Sequence, residues 1–346
     1  LKILLIIYKE YKYIIILFIM NNLLSIDDLS KEKIFNIIEK SITVKNGNKL
    51  YVTMDSYIEN KIIGLLFFEP STRTRFSFET VIYKSKGNVL NYNEKISSAK
   101  KGETLYDTIK TMEIYCDLFI IRHPDNDIFE KITKYTSKPI INAGNGSYEH
   151  PTQSLIDITT MFEHNKNTNS TFKNILFVGD INNSRTINSL IKCIYKISNS
   201  INFYIFSIQE DFNPKIKNFI KNNNIKITRV FSYDECIKDM DFVYVTRCQK
   251  ERQNLDIIDY KKEMIITPNV MKKMKPTCGL LHPFPRNEEI DIKCDSDSRS
   301  LYFKQIENGI HVRRIIMEDI LSKTQDFNRI KSHGTLDGGY MYSEEY

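Results

Sequence analysis

The chain has 346 residues, 41% hydrophobic and 27% charged, a globular composition with length for about two domains. That excludes global disorder, a collagen-like repeat and a polytopic membrane protein. With 49 Lys and Arg against 43 Asp and Glu, the net charge of +6 is far below what a dedicated nucleic-acid binder carries.

In chain order, residues 1–21 stand apart. The apolar run Tyr13–Met20 is too short to cross a bilayer, which takes about 20 residues, and Lys2, Lys9, Glu10 and Lys12 interrupt the wider stretch. The chain opens on Leu1 rather than Met, as a fragment would. The segment reads either as the remnant of a targeting sequence or as an extension that packs in an interface.

The folded part is expected from Asn22. Ser30 suits an N-cap for a helix whose apolar face is Ile34, Phe35, Ile37 and Ile38. Strands are predicted at Ile62–Phe68, Leu118–Ile121 and Ile140–Asn142, with helices from about Phe76, over Glu103–Tyr115 and over Pro151–Glu163. The polar stretch Asn165–Ser170 reads as a domain boundary. Strands then recur at Ile175–Val178, Asn202–Phe206, Lys226–Val230, Phe242–Val245 and Met264–Ile266. The helices between them are Arg185–Ile197, Pro214–Asn222 and Tyr233–Lys238. A last helix, Leu301–Leu321, contains Gly309, which marks close packing, and the polar residues 323–346 read as a mobile tail. Six scattered cysteines, with no C-x-x-C pair, point to reduced thiols and away from structural zinc.

Strand–helix alternation in both halves predicts two doubly wound α/β units, in which ligands bind beyond the carboxyl ends of the strands. Phe68-Glu69-Pro70-Ser71-Thr72-Arg73-Thr74-Arg75 lies at such a point. Helix N-terminal amides, three hydroxyls and two forked guanidinium groups make it a phosphate site. Ser71 or Thr74 alone would read as a helix cap. Arg122 and His123 follow the next strand, and Gly144–Ser147 leads to His150-Pro151-Thr152-Gln153 at a helix start, where a lone His is as readily a cap as a functional group.

In the second half, Gly179-Asp180 fails the dinucleotide fingerprint, and Asp180 reads first as a turn residue. Asn183-Ser184-Arg185-Thr186 opens a helix. Thr246-Arg247-Cys248-Gln249-Lys250-Glu251-Arg252 follows a strand, and His282-Pro283-Phe284-Pro285-Arg286 is a stiff segment that leaves carbonyls free. Arginines 73, 75, 122, 185 and 247 are predicted to cluster around an anionic ligand pair. With no carboxylate pair, metal constellation or Cys–His set, the chemistry expected is orientation and charge stabilisation.

These segments resemble the aspartate carbamoyltransferase catalytic chains over about residues 22–322. The match runs through 68–75, Lys100–Leu105, 122–124, 150–157, 184–186, 246–252 and 282–286 in the family's order. The resemblance implies two parallel-sheet domains of the aspartate/ornithine carbamoyltransferase type, linked by two helices. One is a carbamoyl-phosphate domain, 22–150, completed by the helix 301–322; the other is an aspartate domain, 151–300. It implies transfer of the carbamoyl group of carbamoyl phosphate to L-aspartate, the committed step of pyrimidine synthesis, with no cofactor and no metal.

Ser71, Thr72, Arg73 and Thr74, with Ser97 and Lys101 from a mobile loop, would hold the phosphate. Thr74, Arg122 and His150 would sit at the carbonyl oxygen and Gln153 at the carbamoyl nitrogen. Arg122, Arg185, Arg247 and Gln249 would take the aspartate carboxylates, and the carbonyls of Pro283 and Phe284 the amino groups. Thr74, Arg122, His150 and Lys101 form the catalytic set. The resemblance also implies a cis Phe284–Pro285 bond and a homotrimer in which Ser97 and Lys101 enter the neighbour's cleft. Phe284 stands where Leu is usual and Ala99 where Gly is usual, and residues 1–21 and 323–346 have no counterpart.

No nucleic-acid or membrane partner is expected. The compartment expected is the cytoplasm, an organelle staying open because of the N-terminal segment. The rival within the class is ornithine carbamoyltransferase, which carries Cys where Pro283 stands. The rival from another class is a non-catalytic anion- or RNA-binding scaffold, against which the absence of stacked aromatic motifs counts.

Overall fold

Two all-parallel sheets carry the fold. The computed structural model describes residues 22–47, 56–94, 97–209, 211–249 and 262–334, with side chains through 324. The expectations for 1–21, for Lys250, Glu251 and Arg252, and for 335–346 lie outside the described residues.

The first sheet has the order β2-β1-β3-β4, from β1 (Ile62–Phe67), β2 (Asn88–Tyr92), β3 (Leu118–His123) and β4 (Ile140–Asn145). The second has the order β7-β6-β5-β8-β9, from β5 (Asn174–Gly179), β6 (Asn202–Ser207), β7 (Ile227–Arg229), β8 (Phe242–Val245) and β9 (Gly279–Leu281). Parallel strands are covered on both faces and so run continuously apolar. Ile63, Leu65 and Leu66 in β1, and Ile175–Val178 in β5, are accordingly fully buried.

Helices α1 (Lys31–Lys45), α2 (Thr72–Lys84), α3 (Leu105–Tyr115) and α4 (Ile128–Ile132) belong to the first half. Then come α5 (Pro151–Thr168), α6 (Arg185–Ile197), α7 (Pro214–Asn222), α8 (Pro268–Lys273) and α9 (Tyr302–Gly334). Ser30 caps α1 by accepting from the Lys33 amide. The last helix, α9, returns to pack on α1, α2 and α5, while α5 also packs on α6. The two linking helices thus tie both sheets together. Gly309 lets α9 approach closely, since a Cβ there would meet Ile156 Cδ1 at 3.3 Å.

Several expectations are corrected. β2 and β9 were not predicted: β2 is a half-exposed edge strand in which Asn88 and Asn91 are exposed, and β9 has only three residues. Met264–Ile266 is not a strand. Lys262–Met264 forms a 3₁₀ turn and Ile266 only an isolated bridge to Ile290, its apolar side chains being buried in a core cluster beside the sheet. Tyr233–Lys238 is two 3₁₀ turns, broken where Cys236 leaves helical geometry. α2 begins at Thr72 rather than near Phe76. α5 runs past Glu163 until Asn169 turns left-handed at φ 48°, so much of the polar stretch 165–170 is helical. α9 continues to Gly334, well past Leu321 and into the expected tail.

Candidate active site

In each sheet one strand has its sequential neighbour on one side and a later strand on the other. These switch points are β1/β3 and β5/β8, and the loops that leave them open a crevice where open α/β sheets bind ligands. Both crevices face one cleft of about 780 Å³.

After β1, Glu69–Thr74 lines the cleft. Ser71 is the N-cap of α2 but makes no side-chain cap bond, so its hydroxyl is not spent on capping. The first turn carries no acidic residue, which keeps its positive end available to an anion. Partial burial, and next the positive charge of Arg247, hold the Arg73 guanidinium below its ordinary value. Arg75 departs from expectation: it pairs with Glu79 at 3.2 Å along α2 and does not line the cleft.

At the end of β3, Arg122 reaches the cleft with Nε 2.8 Å from Glu69 Oε1 and Nη1 donating to Ala143 O at 3.4 Å. His150 precedes α5, and its backbone amide donates to Ser189 Oγ at 2.8 Å. Burial first, then Arg185, Arg122 and Arg313, push its imidazole well below the usual histidine value. The ring is therefore neutral at physiological pH.

After β5, Gly179 at φ +113° lets β5 close on β8, since a Cβ there would stand 2.1 Å from Thr246 O. Asp180 is buried and does more than turn the chain. It accepts from the Asn183 amide at 3.0 Å, Gln209 Nε2 at 2.8 Å and the Gln249 amide at 3.2 Å, which staples the loops after β5 and β8. Arg185, nearly buried, donates to Gly146 O at 3.0 Å and to Glu69 Oε1 at 2.6 Å. Arg247 donates to Cys248 O at 3.1 Å, and Gln249 Nε2 to Asn183 O at 2.7 Å.

After β9, His282 Nδ1 accepts from the Phe284 amide at 2.8 Å, so its Nε2 carries the proton and donates to Glu289 Oε1 at 2.8 Å. The turn places Phe284 at φ +56° and the Phe284–Pro285 peptide in cis.

The structure therefore gathers Ser71, Thr72, Arg73, Thr74, Arg122, His150, Gln153, Arg185, Arg247, Gln249, Pro283 and Phe284 around one cleft. Ser97 and Lys101 are not among its lining residues. Ser97 caps the 3₁₀ turn Ser98–Lys101, and Lys101, exposed, ends it. Sequence reasoning assigned no role to Glu69, Gln305 or Arg313, which also line the cleft. Glu69 stood inside the recognised octapeptide. Arg313 comes from mid-α9, far from any strand end, and burial lowers it to about 10. Among the described residues, five lining arginines, 73, 122, 185, 247 and 313, face Glu69 as the one lining carboxylate.

Fold and cleft together define a two-domain α/β enzyme for anionic substrates. The carbamoyl-phosphate-binding domain of the aspartate/ornithine carbamoyltransferases matches residues 21–163, and their Asp/Orn-binding domain matches residues 172–320. The chain belongs to the aspartate/ornithine carbamoyltransferase family.

Among its relatives, the aspartate carbamoyltransferase catalytic subunit of Finegoldia magna is 36% identical over 304 residues, 87% of this chain and 97% of that protein. The multifunctional protein CAD of Squalus acanthias is 34% identical over 315 residues, 88% of this chain, which spans only 14% of it. Aspartate transcarbamoylase from Trypanosoma cruzi in complex with carbamoyl phosphate superposes with a TM-score of 0.77 at 29% identity, covering 86% of this chain and 95% of that one. The catalytic subunit of the M. jannaschii enzyme superposes with a TM-score of 0.76 at 34% identity, covering 88% and 99%.

Proposed function

We propose that the cleft transfers the carbamoyl group of carbamoyl phosphate to the amino group of L-aspartate, giving N-carbamoyl-L-aspartate and phosphate. The observation that carries this reading is the excess of arginine over carboxylate at two facing switch points. Such a site suits two anionic substrates held together, which is where proximity contributes most to rate.

In this reading Ser71, Thr72, Arg73 and Thr74 bind the phosphate at the start of α2. Thr74, Arg122 and neutral His150 face the carbonyl oxygen, and Gln153 the carbamoyl nitrogen. Arg122, Arg185, Arg247 and Gln249 take the aspartate carboxylates, and the carbonyls of Pro283 and Phe284 orient the amine. Attack of the amine nitrogen on the carbamoyl carbon moves charge onto the carbonyl oxygen, where the three donors stabilise it. The C–O bond to phosphate then breaks, and the departing phosphate takes the amine's proton, so no protein base is needed.

We assign 22–150 with 301–322 to the carbamoyl-phosphate half and 151–300 to the aspartate half. Ser97 and Lys101 complete the phosphate site of a neighbouring subunit in a homotrimer. No described helix is long and apolar enough to cross a membrane. All six cysteines are buried thiols outside any disulfide, which supports a reducing compartment such as the cytoplasm.

The test is product analysis with carbamoyl phosphate and either aspartate or ornithine. N-carbamoyl-L-aspartate is expected. Citrulline alone would reassign the second substrate, and no product with either would remove the activity.

A further inference from the structure

Four residues after Gln153, α5 carries a carboxylate that the reaction does not touch. Asp157 is fully buried. Its Oδ1 accepts from Gln153 Nε2 at 2.8 Å and from Gln305 Nε2 at 2.7 Å, and its Oδ2 accepts from the Tyr244 hydroxyl at 2.8 Å. The donors come from α5, α9 and β8, so the carboxylate joins both halves of the chain.

Chemistry sets the direction of each amide. The backbone N–H of His282 can only donate, and it donates to Gln305 Oε1 at 2.8 Å. Gln305 must therefore turn its Nε2 toward Asp157. An ionised carboxylate can only accept, so Gln153 must also turn its Nε2 inward. Burial raises the Asp157 carboxyl only to about 6, which leaves it ionised at neutral pH. The end of Gln153 left over for the cleft is Oε1, an acceptor. A flipped amide would set oxygen against carboxylate in a buried site, where an unmatched polar contact is most costly.

We propose that Asp157 is a positioning residue that locks the Gln153 amide with its oxygen toward the cleft, so that the site selects an acyl phosphate bearing an NH₂ on the acyl carbon over one bearing a methyl. The inference rests on the reading that places Gln153 at the carbamoyl nitrogen. A site built around a hydrogen-bond acceptor rejects the analogue that lacks the donor, because its own polar group is then left unpaired. His282 begins the turn that presents Pro283 and Phe284, so the same chain of bonds runs from the second substrate's turn to the first substrate's amide.

The test uses two stable probes of equal shape, phosphonoacetamide with the NH₂ and acetonylphosphonate with a methyl in its place, titrated calorimetrically. Gln153→Ala should reduce the preference for phosphonoacetamide about three- to tenfold, the worth of one hydrogen bond. Asp157→Leu, which keeps the shape and removes the acceptor, should reduce it by a similar factor and leave acetonylphosphonate binding within about twofold. Asp157→Asn should keep the preference, because its Oδ1 still accepts from both glutamines while the Tyr244 oxygen accepts from its Nδ2. The Asp157→Leu/Gln153→Ala double variant should lose no more than Gln153→Ala alone. If Asp157→Leu is insoluble, Asp157→Ser carries the same expectation.

Equal weakening of both probes by Asp157→Leu, or additive losses in the double variant, overturns the proposal. An unchanged preference in Gln153→Ala removes the reading of Gln153 and the proposal with it. A change in Gln153→Ala without one in either Asp157→Leu or Asp157→Ser removes the Asp157 link alone.

Discussion

Glu69 Oε1 lies 2.6 Å from Arg185 Nη2, joining the end of β1 in one sheet to the start of α6 beside the other. The same oxygen is 2.8 Å from Arg122 Nε. One carboxylate thus neutralises two cations, both of which are assigned to an anionic substrate. The side chains are only 17%, 8% and 13% exposed for Glu69, Arg185 and Arg122, so the pairing is weakly screened by salt. It holds the two halves of the site in register.

Glu69→Gln should therefore lower the melting temperature of the free protein. Removing one partner of a buried ion pair costs up to about 3–5 kcal/mol, because the other charges lose their counter-ion. Phosphate with succinate would resupply negative charge, so the rise in melting temperature on adding both should exceed that of the wild type. Calorimetric melts with and without the anions check this. Equal melting temperatures for variant and wild type would show that the shared carboxylate contributes nothing.

Arg122→Ala should remove most activity and leave the fold intact. Arg122 is the guanidinium assigned to both the carbonyl oxygen and an aspartate carboxylate. Losing such a donor costs about 10²–10³ in rate. Glu69 keeps Arg185 in the variant, so no buried carboxylate is stranded and the far-UV spectrum should not change. A variant that retains more than about half of wild-type turnover takes Arg122 out of the reaction.

The site was more legible than the fold's periphery. Ser71–Thr74, Arg122, His150, Arg185, Arg247 and Gln249 follow strand ends in the sequence, and parallel strands advertise themselves as continuous apolar runs. What escaped has a physical reason. β2 is an edge strand interrupted by exposed asparagines, and β9 is too short to show a period. The apolar run Met264–Ile266 looked like a strand because burial alone does not say what covers it. Arg75 looked like its neighbour Arg73, but a helix places residues two apart on different faces. Arg313 and Gln305 reach the cleft from α9, a link that only the tertiary fold makes.

Stability should fall as the pH drops through about 6.5. His123, His150, His164, His282 and His311 are all held below 6.5, each by burial first. The unfolded chain then takes up protons near 6.5 that the folded chain refuses, so the stability these groups contribute is present above that value and lost below it. Asp157, raised to about 6 by burial against its three donors, acts in the opposite sense between about 6 and the ordinary carboxylate range, as do Asp28 and Glu149, which burial also raises, but these are three groups against five. Below 4.5, Glu113 adds a further loss: although burial raises it, donors from Ser137, Lys110 and Thr136 hold it down to about 2. Urea midpoints at pH 7.5, 6.5 and 5.5 should decline in that order. A midpoint that is flat or rising toward pH 5.5 contradicts the histidine burial.

No single chain should carry a complete site. Lys101 ends an exposed 3₁₀ turn, Gly102 follows it at φ +91°, and neither Lys101 nor Ser97 lines the chain's own cleft. Two adjacent lysines on a surface are ordinarily a solvated charge run. The phosphate, however, carries two negative charges and would meet only Arg73 beside the start of α2. A cation delivered by a neighbouring subunit supplies the rest. Lys101→Ala and Arg73→Ala assemblies should each be nearly inactive, the first lacking the donated cation and the second the resident one. Dissociating and reassembling a 1:1 mixture should restore activity at roughly one quarter of the sites, those that pair an intact cleft with a neighbour's intact turn in a cyclic trimer. Hybrids as inactive as their parents, or a dilute monomer with full turnover, would return both residues to the solvated surface.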